Sequence, residues 1–429
     1  MALIGMTRIR SAAPSSAHAM LDRFIKAIPE RIRPDKVLLK QSILVLLACA
    51  LIDLFPGFFM GRFEEYLVLV PGLLMILPPT VGLRGNIFGA LAARVSSRLH
   101  LGTIDPHFRQ NKELRVHLLA SGVQLVMLSV AIPLVGLVMG ILFSIEMAGV
   151  HELLFISISG ALISGLLMFA ISLGITFISF RKGWDPDNVS APITASAGDI
   201  LTIPILFLCA FLALNLPTGL VWMLSLTATL VIILSGILLS LSEKKRSTAI
   251  LREAIPIAIL AVVISTISGL FLGVAFNSFL KGSLFLILIP AFNGQGGSMG
   301  SILGSRVTSA AYLGQVKITR IPNQLAVSSA VSLMIISLIA FSFIGLGGAF
   351  LGYIAGGLSF NIPELVITLL IGSVLITIST SMIAYYIAYL SFKIGLDPDN
   401  VVIPLLTACM DVVGSGSLIL GMIITGILF

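Results

Sequence analysis

Hydrophobic residues occur in long runs that are separated by short polar and basic segments. Apolar stretches of 20 or more residues recur along the chain, and a helix of that length crosses the ~30 Å hydrocarbon core of a bilayer. Helices satisfy their own backbone hydrogen bonds in lipid. The pattern predicts eleven transmembrane helices, roughly at 39–60, 66–100, 115–145, 152–181, 188–214, 217–242, 249–276, 281–312, 323–350, 363–393 and 400–427.

This pattern occurs twice in the chain. The motif that contains Pro78 returns at Pro290, and Asp199 returns as Asp411, so that both pairs are 212 positions apart (290 − 78, for example). A constant offset across separated motifs indicates a tandem duplication. We therefore predict an all-α fold with a 5+1+5 arrangement, in which the helix at 217–242 keeps the two repeats parallel. A pseudo-two-fold axis along the membrane normal should relate them. The predicted units are 1–38, 39–214, 215–245 (the linker helix) and 246–429.

Composition supports a polytopic membrane protein. Charged residues make up 10% of the chain and the mean hydropathy is +1.10, whereas soluble domains carry about 25% charged residues. The net charge of +7 comes from basic residues in short loops, which indicates membrane topology and not a nucleic-acid surface. Because such loops face the cytosol, we expect a plasma-membrane protein with its N-terminus inside and its C-terminus outside.

The first 38 residues differ from the rest. Met20, Leu21, Phe24 and Ile25 recur at helical spacing among basic residues. This predicts an amphipathic helix on the anionic cytosolic leaflet; a disordered basic tail is the alternative.

Motifs for enzyme chemistry are absent from the sequence. It contains no Walker A loop, no G-x-S-x-G elbow and no H-E-x-x-H. These absences argue against an ATP-driven pump, and we predict no enzymatic activity. The three cysteines lie within apolar segments and show no metal-ligand spacing.

Two acidic residues within predicted spans are the strongest candidates for chemistry. Asp199 and Asp411 each lie 14 residues past the first aspartate of a DPDN segment, which is ~21 Å along a helix and near the membrane midplane. A carboxylate there costs several kcal/mol and usually has a function. Two of them supply the charge that balances a divalent cation, and oxygen ligands favour Mg²⁺ over softer metals. The alternative is a pair of protonated side chains that bond to neighbouring helices.

Glycine motifs supply further candidate ligands. We predict that the Pro and Gly residues break the second helix of each repeat and free backbone carbonyls toward a wet cavity. Close helix packing through small residues is the alternative. The candidates in these motifs are Gly82, Gly85, Asn86, Asn293, Gly294, Gly297 and Ser298.

Some polar residues have no counterpart in the other repeat. Position 296, which matches Arg84, is glycine, and Ser265 matches Asp53. Asp53 is therefore not expected to be a symmetric ligand. Arg84 would pair with Asp53 or another acid, or tune the charge of the pore.

The DPDN segments stand where the fifth span of each repeat begins. Asp187, Asn188, Asp399 and Asn400 suit helix N-caps. They could also form an acidic vestibule that gathers cations.

Together these motifs resemble the MgtE superfamily of magnesium channels and transporters, and more closely solute carrier family 41, over residues 39–429. The resemblance implies that the two repeats mimic the two subunits of an MgtE dimer, with the ion path between them, so that a monomer suffices for one pore. It also implies that Asp199 and Asp411 bind the permeating Mg²⁺ and that Asn86 lies near the pore. Ser298 stands where family members often have asparagine, and the large cytosolic sensor domains of bacterial MgtE have no counterpart here.

The predicted function is therefore transport of partly hydrated Mg²⁺, with the lipid bilayer as the other partner. A Na⁺-coupled exchanger remains an alternative to a channel. A membrane receptor without transport activity would leave the duplicated aspartates unexplained.

Overall fold

A computed structural model describes residues 33–106, 112–184, 186–241, 245–279, 283–356 and 361–426, and within these ranges every regular element is a helix. The predicted N-terminal amphipathic helix lies mostly outside these ranges. The helices are α1 (Lys36–Ile52), α2 (Leu54–Arg62), α3 (Glu64–Leu69), α4 (Leu73–His100), α5 (Lys112–Leu142), α6 (Val150–Arg181), α7 (Pro186–Asn215), α8 (Thr218–Leu241), α9 (Lys245–Phe279), α10 (Ser283–Tyr312), α11 (Gln324–Gly356), α12 (Ile362–Ile394) and α13 (Pro398–Thr425).

Many of these helices are long and apolar enough to span a bilayer. Among the described residues there are nine such spans, the first of which combines α1 and α2. Two of the eleven predicted spans are not among them. The sixth, α8, is counted only as the shorter apolar segment Thr218–Val231, because the side chains of most residues beyond Val231 lie outside the described residues. The eighth, α10, carries the polar motif at 293–298.

The helix boundaries repeat at the spacing found in the sequence. Helices α5, α6 and α7 begin at Lys112, Val150 and Pro186, and α11, α12 and α13 begin 212 residues later in each case (324 − 112, for example). By the same offset α4 matches α10, and α9 matches α1 together with α2. The duplication is therefore visible in the helix boundaries as well as in the sequence.

Two glycines bring the backbones of the halves together. A Cβ atom built on Gly57 would lie 2.0 Å from the carbonyl oxygen of Ile287, and one on Gly269 would lie 2.3 Å from that of Met75. These contacts exchange under the 212-residue offset (269 − 57 and 287 − 75). The first helix segment of each half therefore packs against the Pro/Gly helix of the other half, as a pseudo-two-fold relation requires.

The prediction that the Pro/Gly motifs break their helices is wrong. Helix α4 is continuous through Pro78 and Pro79, and α10 is continuous through Pro290. A proline removes one backbone hydrogen bond, and packing against neighbouring helices holds the remainder of the turn in place. The glycines remain helical and leave space beside the helix.

Basic residues near one end of the bundle join the halves. Arg94 donates hydrogen bonds to Asn400 Oδ1 at 3.0 Å and to Ser121 Oγ at 2.9 Å. Its counterpart Arg306 lies 2.6 Å from Asp35 Oδ2. Each arginine thus reaches across to the opposite half.

Candidate functional site

A cavity lies between the two halves. Its volume of about 80 Å³ is several times the ~10–15 Å³ that one water needs. Its lining comes from α2, α4 and α7 of the first half and from α9, α10 and α13 of the second. The polar and glycine residues of the lining are Gly82, Gly85, Asp199, Ser268, Asn293, Gly294, Gly297, Ser298, Ser301, Thr407 and Asp411.

Each aspartate in this cavity faces a glycine of the opposite half. A Cβ atom built on Gly82 would lie 3.6 Å from Asp411 Oδ2, and one on Gly294 would lie 3.5 Å from Asp199 Oδ2. The two geometries are equivalent under the 212-residue offset. The missing glycine side chains therefore leave both carboxylates open to the same cavity from opposite sides.

Hydrogen bonds from its own half surround Asp411. The Ser265 hydroxyl donates to Asp411 Oδ2 at 2.6 Å. The Asp411 main-chain oxygen accepts from Ser268 Oγ at 2.8 Å, Asn293 Nδ2 at 3.2 Å and Ser415 Oγ at 2.7 Å. This part of α13 is held in place by three other polar side chains.

The environment of Asp199 is different. Within the part of the chain that the structure describes, its carboxylate has no hydrogen-bond donor. The residue that matches Ser265 is Asp53, which lies at the junction of α1 and α2 and is 1% exposed. The first half thus places a second carboxylate where the second half has a hydroxyl.

The cavity contains eight of the nine predicted site residues, and Asn86 is the exception. Asn86 lines a smaller adjoining pocket together with Ser265 and Asn400, and its Oδ1 atom accepts a hydrogen bond from Thr407 Oγ1. Asn86 therefore contacts the larger cavity through Thr407, which lines that cavity. Ser298 lines the larger cavity, and its buried Oγ atom has no hydrogen-bond partner within the described ranges.

Protein ligands alone do not complete a metal site. In the described part of the chain, no three His, Cys, Asp or Glu side chains are grouped closely enough to hold an ion. An ion between Asp199 and Asp411 would need amide and hydroxyl oxygens and water as further ligands. A hard cation that keeps several waters satisfies this requirement.

Arg84 does not pair with Asp53. It is fully buried, its Nε atom donates to Ser164 Oγ at 3.0 Å, and Nη1 donates to the Thr80 carbonyl. Both partners lie in the first half, and Arg84 does not line the cavity. Its aliphatic stem instead packs beside Gly198, where an added Cβ would lie 3.3 Å away.

The second DPDN segment connects helices, and Asn400 does not stand at a helix N-cap; the side chain of Asp399 lies outside the described residues. Helix α13 begins at Pro398, so that Asn400 lies in its first turn. Asn400 Nδ2 donates to Glu253 at 2.9 Å, and the Asp397 amide donates to the same carboxylate at 2.6 Å. In the first repeat, Asp185 and the side chains of Asp187 and Asn188 lie outside the described residues.

The sequence interpretation missed several residues that shape this site. Ser268 and Thr407 line the cavity, yet the first half has Pro56 and Ala195 at the matching positions. The signal for Gly57 and Gly269 was available, because the 212-residue offset pairs them. No comparable signal marks Ser268 or Thr407, since a serine or threonine without a counterpart in the other repeat is common in transmembrane helices.

Comparison with known proteins assigns the chain to a protein family. The family model for MgtE, described as a divalent cation transporter, matches residues 77–209 and 289–421. These two regions together cover more than half of the chain, and their boundaries are also 212 residues apart (289 − 77).

Similar proteins belong to one group of solute carriers. The chain is 28% identical to solute carrier family 41 member 2 of Homo sapiens over 380 residues, which cover 84% of this chain and 64% of that protein. It is 26% identical to member 3 of Mus musculus over 388 residues, or 85% of this chain and 78% of that protein. The match to member 2 of Gallus gallus also covers only 64% of that relative. No solved structure gives a significant match.

The duplicated family match therefore confirms the resemblance carried by the motifs and identifies a multi-pass membrane protein of a transporter family, not an enzyme family. The chain belongs to the MgtE family of divalent cation transporters and is similar to solute carrier family 41.

Proposed function

We propose that this protein moves partly hydrated Mg²⁺ through the cavity between its halves, with Asp199 and Asp411 holding the ion. One observation carries this proposal. The two carboxylates occupy equivalent positions in the two halves, and each lies beside a glycine of the opposite half. When ionised they supply a charge of −2, in a cavity large enough for several waters, and this charge balances a divalent cation. Buried carboxylates within a membrane span are costly unless such a cation or water compensates them.

The remaining ligands are neutral oxygens. Asn293 and Ser298 line the cavity from α10, and Asn293 Oδ1 has no hydrogen-bond partner among the residues that the structure describes. Since α4 and α10 are continuous helices, most carbonyls of the Gly motifs already have helical partners. Waters in the cavity that Gly82, Gly85, Gly294 and Gly297 line therefore complete the coordination, as Mg²⁺ prefers.

The proposed arrangement in the membrane is eleven spans in a 5+1+5 order. Residues 39–214 and 246–429 form the two repeats, 215–245 is the linker helix, and 1–38 is a cytosolic segment. The excess of basic residues in loops on one side supports an inward N-terminus and an outward C-terminus in the plasma membrane. Because one chain supplies both halves of the cavity, one monomer suffices for one pore.

Mg²⁺ uptake into proteoliposomes tests this proposal. The full chain is reconstituted with a Mg²⁺-sensitive dye inside, beside the Asp199→Asn/Asp411→Asn double variant. Glu364→Gln is the control for loss of a carboxylate, because Glu364 lies at the start of α12 and is exposed. We expect uptake by the wild type and the control and none by the double variant. Uptake by a correctly folded double variant would show that the ion path lies elsewhere.

The same vesicles separate the transport modes. Uptake that proceeds without Na⁺ indicates a channel-like path, whereas uptake that requires an opposed Na⁺ gradient indicates an exchanger. A folded wild-type protein that transports no divalent cation under either condition would contradict the proposed function.

A further inference from the structure

The two halves differ at the position beside each ion-facing glycine. In the second half, the Ser265 hydroxyl bonds to Asp411 Oδ2 at 2.6 Å and closes this position with an internal contact. In the first half, the equivalent residue is Asp53, which is an acceptor and offers no such contact when ionised. The position beside Asp199 is therefore open.

Two carboxylates face the space beside Gly294. A Cβ atom built on Gly294 would lie 2.9 Å from Asp53 Oδ2 and 3.5 Å from Asp199 Oδ2. The two oxygens are therefore no farther apart than these two distances combined. Gly294 itself lines the cavity, so only a residue without a side chain separates Asp53 from the ion path.

Asp53 has no counter-charge within the described part of the protein. It is 1% exposed, and neither carboxylate oxygen has a hydrogen-bond partner among the described residues. The Ser196 hydroxyl lies close enough to Asp53 to act on its carboxylate, but Ser196 is also 1% exposed and its Oγ atom makes no well-aligned hydrogen bond among the described residues. A buried carboxylate costs several kcal/mol unless a counter-charge is present, and Arg84 does not supply one.

We propose that Asp53 and Asp199, with the space beside Gly294 and the Ser196 hydroxyl, form a divalent-cation position that exists only in the first half. The two carboxylates supply the charge of −2 that a hard divalent ion requires, and oxygen atoms line the position. A cation here lies off the pseudo-axis, on the Asp199 side. The physiological meaning of this position rests on the proposed transport, but its occupancy is measurable without transport.

Binding of Mn²⁺ to the detergent-solubilised full chain tests the position. Mn²⁺ is an oxygen-preferring ion whose free concentration is read by electron paramagnetic resonance. We expect Asp53→Ser, which copies the second half, to weaken the tightest Mn²⁺ binding at least about tenfold, because the charge of the ligand set sets its affinity. Glu364→Gln should bind as the wild type does. Unchanged Mn²⁺ affinity in folded Asp53→Ser would overturn the proposal.

Thermal unfolding gives an independent readout. Without divalent cation, Asp53→Ser should unfold at a higher temperature than the wild type, since an uncompensated buried charge is removed. With Mg²⁺ present, the wild type should gain more stability than the variant. A purely structural Asp53 would give the opposite order without cation. The isosteric Asp53→Asn serves the same purpose if the serine variant does not fold, and unfolding of both variants would show a structural role and refute the site.

A swap of the two positions provides the sharpest control. The double variant Asp53→Ser/Ser265→Asp exchanges the two side chains between the halves and should regain most of the Mn²⁺ affinity on the Asp411 side. Failure to regain it would refute the claim that the carboxylate pair defines the position. If Mn²⁺ binding follows Asp53 but the wild type shows no flux, the position stands and the transport function falls. If the wild type transports Mg²⁺ but Mn²⁺ affinity is the same with and without Asp53, the transport function stands and the proposed position is refuted.

Discussion

The two halves of the cavity share a geometry but differ in the chemistry around their aspartates. Asp411 is held by Ser265, and three further side chains bond to its main-chain oxygen. Asp199 has Asp53 in place of Ser265. The duplication has kept the helix boundaries and the glycine contacts while the polar residues diverged.

This difference suggests a division of labour. In the second half, hydrogen bonds hold the Asp411 carboxylate in one position before any ion binds. The first half places two buried carboxyl groups where the second half has one carboxyl group and a hydroxyl. A single-chain protein can diverge in this way, whereas a homodimer must repeat each substitution in both subunits.

The largest expected effect is a loss of stability when the glycine contacts that both halves share are disrupted. Gly57→Ala and Gly269→Ala each place a Cβ atom against a backbone oxygen, at 2.0 Å and 2.3 Å. We expect each to destabilise the protein by about 3 kcal/mol or more, because backbone must shift to relieve the overlap. Thermal unfolding in detergent measures this loss. Gly174→Ala, with no neighbouring atom within 4 Å, should cause no loss, and clearly unequal losses for Gly57 and Gly269 would contradict an equivalent role.

The next effect separates the two aspartates. We expect Asp199→Asn to reduce Mg²⁺ uptake about 100-fold and Asp411→Asn about tenfold, because cation affinity depends on ligand charge and one Asp411 oxygen is already engaged by Ser265. The initial rate of uptake in proteoliposomes at low Mg²⁺ measures both. Equal losses would argue that the halves contribute alike despite their different surroundings.

A smaller effect is expected from the hydroxyl that holds Asp411. Ser265→Ala removes the 2.6 Å bond to Asp411 Oδ2 and should destabilise the protein by about 1 kcal/mol. Thr266→Ala is the matched control, since its hydroxyl bonds only to Val262 in its own helix. If thermal unfolding shows no difference between these two variants, the bond to Asp411 contributes nothing to stability.

The smallest expected effect on stability concerns the ion pair between Asp35 and Arg306. Burial acts to raise the pKa of Asp35, but amide bonds from Leu38 and Val37 and the Arg306 charge outweigh it and lower the pKa below 3.8. Because the folded-state pKa is depressed, this contribution is present above pH 3.8 and is lost as the pH falls through the lower folded value. Asp35→Asn should cost up to about 1 kcal/mol at pH 7, after screening by solvent.

Thermal unfolding at pH 7 and below pH 3.8 measures the contribution of the Asp35–Arg306 ion pair to stability. The difference between wild type and Asp35→Asn should be present at pH 7 and shrink in acid. A difference that grows in acid would have the wrong sign for an ion pair.

The sequence allowed much of the fold to be predicted, because both the hydrophobic runs and the duplication are local and periodic signals. The DPDN segments marked the start of the fifth span of each repeat to within two residues, since starts at 188 and 400 were predicted and the helices begin at Pro186 and Pro398. Eight predicted residues line one cavity. The continuity of α4 and α10 could not be read from the sequence, since packing by neighbours decides whether a proline breaks a helix. The same holds for Arg84, whose partners Thr80 and Ser164 depend on which helices become neighbours.

The site was less predictable than the fold for a related reason. Contacts such as Thr407 with Asn86 join residues from opposite halves, and no periodicity encodes them. Asp53 lacked an acidic counterpart in the second half and was therefore set aside as a symmetric ligand. Its place beside Gly294 and Asp199 becomes visible only once the halves are assembled.

The most direct test locates the ion. Crystals of the full chain soaked in Mn²⁺ and measured at the manganese absorption edge should show an anomalous peak in the cavity between the halves, within coordination distance of Asp199 and displaced toward Asp53. The peak should disappear in the Asp199→Asn/Asp411→Asn variant. A peak outside the cavity, or one that persists in that variant, would contradict an ion path held by the paired aspartates.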